Sequence, residues 1–188
     1  EFDFEGDSEQ EKLRNKGMGT ELLALSGNAA IVHDEQKKSD VLSLDGVYGT
    51  YARLPESLLQ NEDSFTLFMD VKVSAEGGRL FSLGSSEKSF LGISGGSKRL
   101  SAQILSNEVP ITAEKEYDAP CTEAWVSIAL EVTPSSLRLY QDGRMLAEST
   151  GAEIPLRKLG ESLTVMLGQS FTIEDANMVG CLDNVKIY

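Results

Sequence analysis

The sequence predicts an all-β fold, a two-sheet antiparallel β-sandwich, and three observations carry that reading. In Phe65-Thr66-Leu67-Phe68-Met69-Asp70-Val71-Lys72-Val73 every odd position is apolar, the mark of a strand with one buried face. Asp142-Gly143 separates two runs of the same kind. Such a pair is a strong hairpin signal, because both central residues of a type I′ turn need φ > 0. Helix signals are thin, whereas short alternating runs separated by Gly, Ser and Asp clusters recur along the chain, as in sandwiches and barrels.

The elements follow in order. Glu1 to Phe4 already alternates, and Gln10 to Lys16 is charged almost throughout, so it reads as a loop or a short solvated turn. Strands are expected at 22–32, 41–45 and 50–54. Pro55 to Gln60 can form one helical turn, since proline's missing N–H costs nothing at a helix start. Further strands are expected at 65–73, 79–83, 89–94, 99–105, 125–133, 137–141, 144–147, 162–167 and 179–188. They should form two sheets of roughly six or seven strands each, packed about 10 Å apart. No internal repeat or low-complexity linker interrupts the pattern, so residues 1–188 are expected to form a single domain. Both chain ends read as strand, which suggests a module trimmed from a longer or processed protein.

Composition narrows the function classes. With 188 residues, 40% of them hydrophobic and 25% charged, the chain is an ordinary globular protein. No run of eighteen apolar residues occurs, so no membrane-inserting helix is expected. A net charge of −13 argues against a nucleic-acid partner and against anionic membrane surfaces. Cys121 and Cys181 are too few for a disulfide framework, and the single histidine, His33, has no thiol near it in sequence. No zinc or redox motif results. Two states stay open for the cysteines, a Cys121–Cys181 bridge or two reduced thiols with Cys181 as a small buried hydrophobe.

Several segments carry a resemblance. Leu42-Ser43-Leu44-Asp45-Gly46 leads to Tyr51 and Leu54-Pro55, and then come Ser64-Phe65-Thr66-Leu67 and Arg79-Leu80-Phe81-Ser82-Leu83-Gly84. Phe90-Leu91-Gly92-Ile93, Trp125-Val126-Ser127-Ile128-Ala129-Leu130 and Leu139-Tyr140-Gln141-Asp142-Gly143 follow. Leu167-Gly168-Gln169 and the closing Gly180-Cys181-Leu182-Asp183-Asn184-Val185-Lys186-Ile187-Tyr188 complete the set. Each motif alone is weak, but in this order they resemble the laminin G-like, pentraxin-like jelly-roll modules of the concanavalin A-like lectin/glucanase superfamily. The resemblance implies a concanavalin A-like jelly roll, and that superfold hosts lectins, adhesion modules and glucanases alike.

Glu5-Gly6-Asp7-Ser8-Glu9 spells the Glu-x-Asp-x-Glu pattern of glucanases on this fold, where two carboxyl groups must stand about 5–5.5 Å apart. Here Gly6 and Ser8 replace the apolar residues that would anchor such a strand, so a solvated loop is the expectation and no catalytic residue is assigned. His33 has no Gly-x-Ser-x-Gly elbow to serve. Gly92-Ile93-Ser94-Gly95-Gly96-Ser97 lacks the Lys-Ser/Thr and helix of a phosphate cradle, and reads as a turn between strands. The acidic residues that bind calcium in pentraxins after Leu-Gly-Gln are replaced here by Ser170-Phe171-Thr172. Tyr48, Tyr117 and Phe171 fall in expected loops, where a ring either stacks on a sugar or serves as ordinary rim packing.

Asp183 is the most informative residue. Two-residue spacing puts it on the face of Val185 and Ile187, so a carboxylate is expected to aim inward and to need hydrogen bonds, a cation or protonation. Glucanases and related modules that resemble this segment hold a structural calcium with the matching Asp. On that resemblance the metal residues are Asp183, by its carboxylate, and the Phe4-Glu5 region (Glu5) and Gly46, by backbone carbonyls, an oxygen-only set of the kind calcium prefers. The alternative is an Asp183 that only accepts backbone hydrogen bonds. The expected function is a non-catalytic carbohydrate-binding or adhesion module of an exported protein, secreted, periplasmic or at the cell surface. Its partner would be a glycan or a cell-surface protein. A structural or protein-interaction domain without a sugar ligand is the alternative, and a glucanase-type glycoside hydrolase the third reading.

Overall fold

The structure, a computed structural model, describes residues 1–17, 19–74, 77–106, 109–116 and 124–188, with residue 57 described in its backbone only. Among the described residues fourteen strands form two seven-stranded antiparallel sheets. The first sheet contains β1 (Ala24–Ser26), β4 (Tyr51–Leu54), β6 (Gly78–Ser86), β7 (Ser89–Gly95), β8 (Arg99–Ser106), β9 (Val109–Glu116) and β13 (Thr164–Leu167). Its spatial order is β1-β4-β13-β6-β7-β8-β9. The second sheet contains β2 (Ala30–Asp34), β3 (Ser39–Asp45), β5 (Phe65–Val73), β10 (Val126–Thr133), β11 (Ser136–Gln141), β12 (Arg144–Thr150) and β14 (Val179–Ile187). Its order is β12-β11-β10-β5-β14-β3-β2.

One apolar core lies between the sheets. Phe81, Leu83, Leu91 and Ile93 face it from the first sheet, and Leu67, Met69, Val71 and Leu130 from the second, all 1% exposed or less. Phe65–Val73 alternates strictly between buried and half-buried, as its period-two sequence requires. Asp142 and Gly143 both have φ > 0 and join β11 to β12, the expected hairpin. Phe2 bridges to Val185 and is buried with Phe4. The N-terminal segment thereby closes one end of the core beside the last strand. A short helix, α1 (Glu9–Lys12), is N-capped by Ser8, and a single 3-10 turn covers Glu56–Leu59.

Three expectations are corrected. The strand read at 22–32 breaks at Gly27, which has φ 61° and separates β1 from β2 in different sheets. β9 has no counterpart in the sequence reading: it is an edge strand, exposed at Val109, Pro110, Thr112, Glu114, Lys115 and Glu116. Val109, Ile111 and Ala113 alternate with Pro110, Thr112 and Glu114, so the period-two signal is present but short, holds a proline and stands at a sheet edge. Asp183 does not share the inward face of Val185 and Ile187. It stands opposite Asp70, and Lys186 opposite Phe68, so β14 holds one extra residue between them. This is a β-bulge at Asn184, whose φ is 51°, and a bulge reverses the phase of the residues before it. Asp183 and Cys181 therefore face outward, opposite Asp70 and Lys72.

Candidate functional site

A second bulge builds the site. On β6, Arg79 pairs with Ser94 and Phe81 with Ile93, leaving Leu80 as the extra residue. Without it Arg79 would share the inward face of Phe81 and Leu83; with it, the guanidinium turns onto the outer face of the first sheet. There it lies over Gly92, where a side chain's Cβ would collide with Arg79 Nη1, and its Cζ sits 5.0 Å from the centroid of the Phe90 ring. The loop after β13 passes alongside. Its Ala176 carbonyl accepts the Arg79 backbone N–H at 2.9 Å, and Arg79 Nη2 donates to Asp175 Oδ2 at 2.6 Å. Ser170 Oγ donates to the same carboxylate at 2.7 Å. Burial would raise the Asp175 pKa, but the Ser170 hydroxyl and the Arg79 guanidinium outweigh it and hold the carboxyl below its ordinary value.

The result is a groove of about 1080 Å³ across the outer face of the first sheet. Cross-strand rungs set its floor: Gly92, Gln103 and Thr112 form one, and Ser94, Ser101 and Glu114 the next. The Asp175–Ala176 loop walls one side, and the other runs out over β9. Arg99 and Glu114 form an exposed ion pair at 3.5 Å near that edge. Arg79 is 5% exposed, and its Nε is buried without a hydrogen-bond partner among the described residues. Two lining features, Gly92 and Ser94 to Ser97, belong to the glycine-rich stretch read from sequence as a turn. The stretch is in fact the end of β7 and the turn after it. The other lining residues were not singled out in sequence, although an arginine in step with Phe81 and Leu83 is itself a flag for a bulge.

The outer face of the second sheet carries a separate charged cluster. Lys37 Nζ bridges Asp70, with which it makes a close ion pair, and Asp183 Oδ2 at 3.5 Å. Ser127 Oγ and Asn184 Nδ2 donate to Asp70 at 2.6 and 2.9 Å. The Asn184 N–H and Ser39 Oγ donate to Asp183 at 2.7 and 3.3 Å. Desolvation opposes ionisation of Asp70, but Lys37, Ser127 and Asn184 outweigh it and lower its pKa. For Asp183, only 1% exposed, burial wins over its donors and raises the pKa. Asp34 pairs closely with Lys72 and accepts from Trp125 Nε1 at 3.2 Å. The Lys72 contact outweighs burial and lowers its pKa to about 2. Lys37 Nζ also stands 4.5 Å from the Trp125 ring centroid, a cation–π contact.

The residues read as metal ligands are only partly assembled. Glu5 and Asp183 meet at Ser39, whose Oγ lies 2.7 Å from Glu5 Oε1 and 3.3 Å from Asp183 Oδ2. Gly46 lies beyond Asp45, which pairs with Val179 at the start of β14. That is roughly 16 Å along the strand from Asp183 at about 3.3 Å per residue. The three residues therefore do not fit one calcium ion, and Lys37's ammonium already stands beside Asp183. Among the described residues no group of three His, Cys, Asp or Glu side chains is arranged to hold a metal ion.

The remaining candidates separate. Glu5, Asp7 and Glu9 lie on a bend and on α1, not along a strand. His33 is exposed and sits 3.2 Å from Asp40. Tyr48 is 61% exposed, whereas Phe171 packs on Phe90 with centroids 6.3 Å apart. Tyr117 and Cys121 lie outside the described residues, so the Cys121–Cys181 pairing is not decided by the fold. Among the described residues no helix is long and apolar enough to cross a membrane.

Comparison with known proteins places this geometry. A family model described as concanavalin A-like lectin/glucanases superfamily matches residues 45–188. No curated protein matches. Among solved structures, domain 4 of AbnA, an extracellular arabinanase of Geobacillus stearothermophilus solved with arabinotriose, aligns with a TM-score of 0.72 at 16% identity. The alignment covers 100% of this chain and 89% of that one. The CBM40 module of the Ruminococcus gnavus IT-sialidase, bound to alpha2,3 sialyllactose, gives 0.62 at 12% identity, covering 87% and 91%. Domains LG4-5 of the mouse laminin alpha1 chain give 0.62 at 14% identity, covering 78% of this chain. This chain spans 40% of that laminin chain. At these identities the likeness is one of fold.

Proposed function

The chain belongs to the concanavalin A-like lectin/glucanases superfamily, and we propose that it serves there as a non-catalytic carbohydrate-binding or adhesion module of an exported protein, its ligand lying in the Arg79 groove. The observation that carries this reading is the convergence of hydrogen-bonding groups on one concavity. A buried guanidinium, a carboxamide, four hydroxyls and three carboxylates line the same groove, and convergent polar groups in one concavity are what fix a ligand's orientation. The structural likeness to domains solved with arabinotriose and sialyllactose supports it.

A glycosidase needs one carboxyl kept protonated as the acid beside a second that is ionised. In the groove Asp175 is held below its ordinary range by Ser170 and Arg79, which suits an anchor and not a proton donor. The carboxyl that burial raises, Asp183, faces outward from the opposite sheet. An array of plant, bacterial and host glycans, probed with the purified domain alongside a reducing-sugar assay, tests the proposal. Binding to one glycan class without hydrolysis is expected. Silence across the array would leave a protein-interaction domain instead, and released reducing ends would make the protein an enzyme.

A further inference from the structure

We infer, resting on the carbohydrate-binding reading above, that the groove takes an uncharged oligosaccharide segment and discriminates against acidic glycans. Three cations, Arg79, Lys98 and Arg99, and three anions, Glu114, Glu116 and Asp175, line it, so its formal charge is zero on a chain of net −13. A site built for a carboxylate needs a guanidinium whose charge is not already matched. Arg79 is matched, by Asp175 at 2.6 Å. An acidic glycan would meet that carboxylate, the β9 glutamates and the field of the whole protein, all repulsive.

The hydrogen-bonding pattern fits hydroxyl groups. Arg79 Nη1 lies over Gly92 and makes no hydrogen bond to any described residue, so it is a donor available to a ligand. Gln103 offers both a donor and an acceptor, Ser94, Ser101 and Thr112 offer hydroxyls, and Glu114 can only accept. A neutral sugar presents hydroxyls that both donate and accept, and can satisfy this mixed set without bringing a charge. A groove of about 1080 Å³ is at the upper end of the roughly 300–1,000 Å³ of small-ligand pockets. It ends on an edge strand, which leaves room for several linked sugars. Among the described residues no aromatic side chain lines it, so recognition rests on polar contacts.

Gly92 is the specificity-determining position. A methyl there would meet the end of the Arg79 side chain and no backbone atom, so Gly92→Ala moves the donor and leaves the backbone in place. Isothermal titration with neutral chains (arabinan, xylan, galactan, mixed-linkage β-glucan) and acidic ones (polygalacturonate, sialyllactose), at low and high salt, tests the inference. The proteins compared are wild type, Gly92→Ala and Gln103→Ala, the last replacing a half-buried side chain that the core does not need. The expected result is binding of a neutral chain that salt does not weaken, reduced at least about tenfold in Gly92→Ala, as for loss of a hydrogen bond to a charged group, and about threefold or more in Gln103→Ala, as for loss of a neutral one. Preference for an acidic chain, or affinity that falls steeply with salt, overturns the ligand class while leaving the carbohydrate reading intact. Equal binding by wild type and both variants overturns the placement in this groove. No binding of either class overturns the carbohydrate reading and this inference with it.

Discussion

Replacing Lys37 by methionine removes the ammonium that lies between Asp70 and Asp183 and keeps most of the side-chain volume. The two carboxylates stand directly opposite each other on adjacent strands, an arrangement that is destabilising for like charges. Asp183 is only 2% exposed in its side chain, and Asp70 15%. Breaking a buried ion pair by removing one partner costs roughly 3–5 kcal/mol. The remaining donors, Ser127, the Asn184 amide and backbone N–H, and Ser39, keep the carboxylates from being bare. We therefore expect a loss near the low end, about 3 kcal/mol. For a domain of 188 residues, where 1 kcal/mol shifts the melting temperature by about 2–4 °C, that is a fall of about 6–12 °C. Calorimetry of wild type, Lys37→Met and Lys38→Met measures it, the neighbouring exposed Lys38 serving as a control expected within about 0.5 kcal/mol of wild type. Each protein is scanned with calcium and, after metal analysis confirms removal, with chelator. Wild type should melt at the same temperature in both, since Lys37 already supplies the cation at Asp183. A calcium-dependent rise in wild type that disappears in Asp183→Ala, or a Lys37→Met protein as stable as the control, would overturn this assignment of Lys37.

Asp34 gives a pH dependence of definite sign. Its carboxyl is lowered from 3.8 to about 2 by Lys72, against burial, with help from the Lys37 backbone N–H and Trp125. Its stabilisation is therefore fully present above the ordinary carboxylate range and lost as pH falls through about 2. The stability gap between wild type and Asp34→Asn should shrink as pH drops from about 4 toward 2, and a gap unchanged across that window in urea titrations would sink the assignment. Asn184 sits at φ 51°, so Asn184→Gly should be more stable than Asn184→Ala by about 1 kcal/mol, the reverse of the usual order within a strand. Equal denaturation midpoints would mean that the bulge is not there. The Cys181 thiol is raised chiefly by burial, so if reduced it should alkylate in the native state more slowly than in the unfolded chain at neutral pH. The same titration on unfolded, unreduced protein decides the Cys121–Cys181 pairing, since no reactive thiol at all would mean a bridge.

Much of the fold was legible in the chain because the partition between inside and outside of a strand is a local property. Phe65 to Val73 needs no knowledge of its neighbours to declare which residues face the core, and Asp142-Gly143 encodes its turn in two residues. The order of the motifs from Leu42 to Tyr188 carried the family. What alternation cannot register is a residue that drops out of the ladder, because a bulge depends on how the neighbouring strand pairs and on what covers the displaced side chain. Arg79, in step with Phe81 and Leu83, and Asp183, in step with Val185 and Ile187, both read as charges aimed into the core. Leu80 and Asn184 turn them outward, one onto Gly92 and Asp175, the other onto Lys37 and Asp70. β9 was missed for a different reason: its alternation runs only from Val109 to Glu114, includes Pro110, and lies at an edge where only Ala113 is buried, so its local signal is weak. Local pattern was enough for the sandwich, its hairpins and its core. The tertiary structure alone decided the groove, because its floor comes from four strands and its wall from a distant loop, and only packing brings Arg79, Gly92, Gln103, Glu114 and Asp175 to one surface.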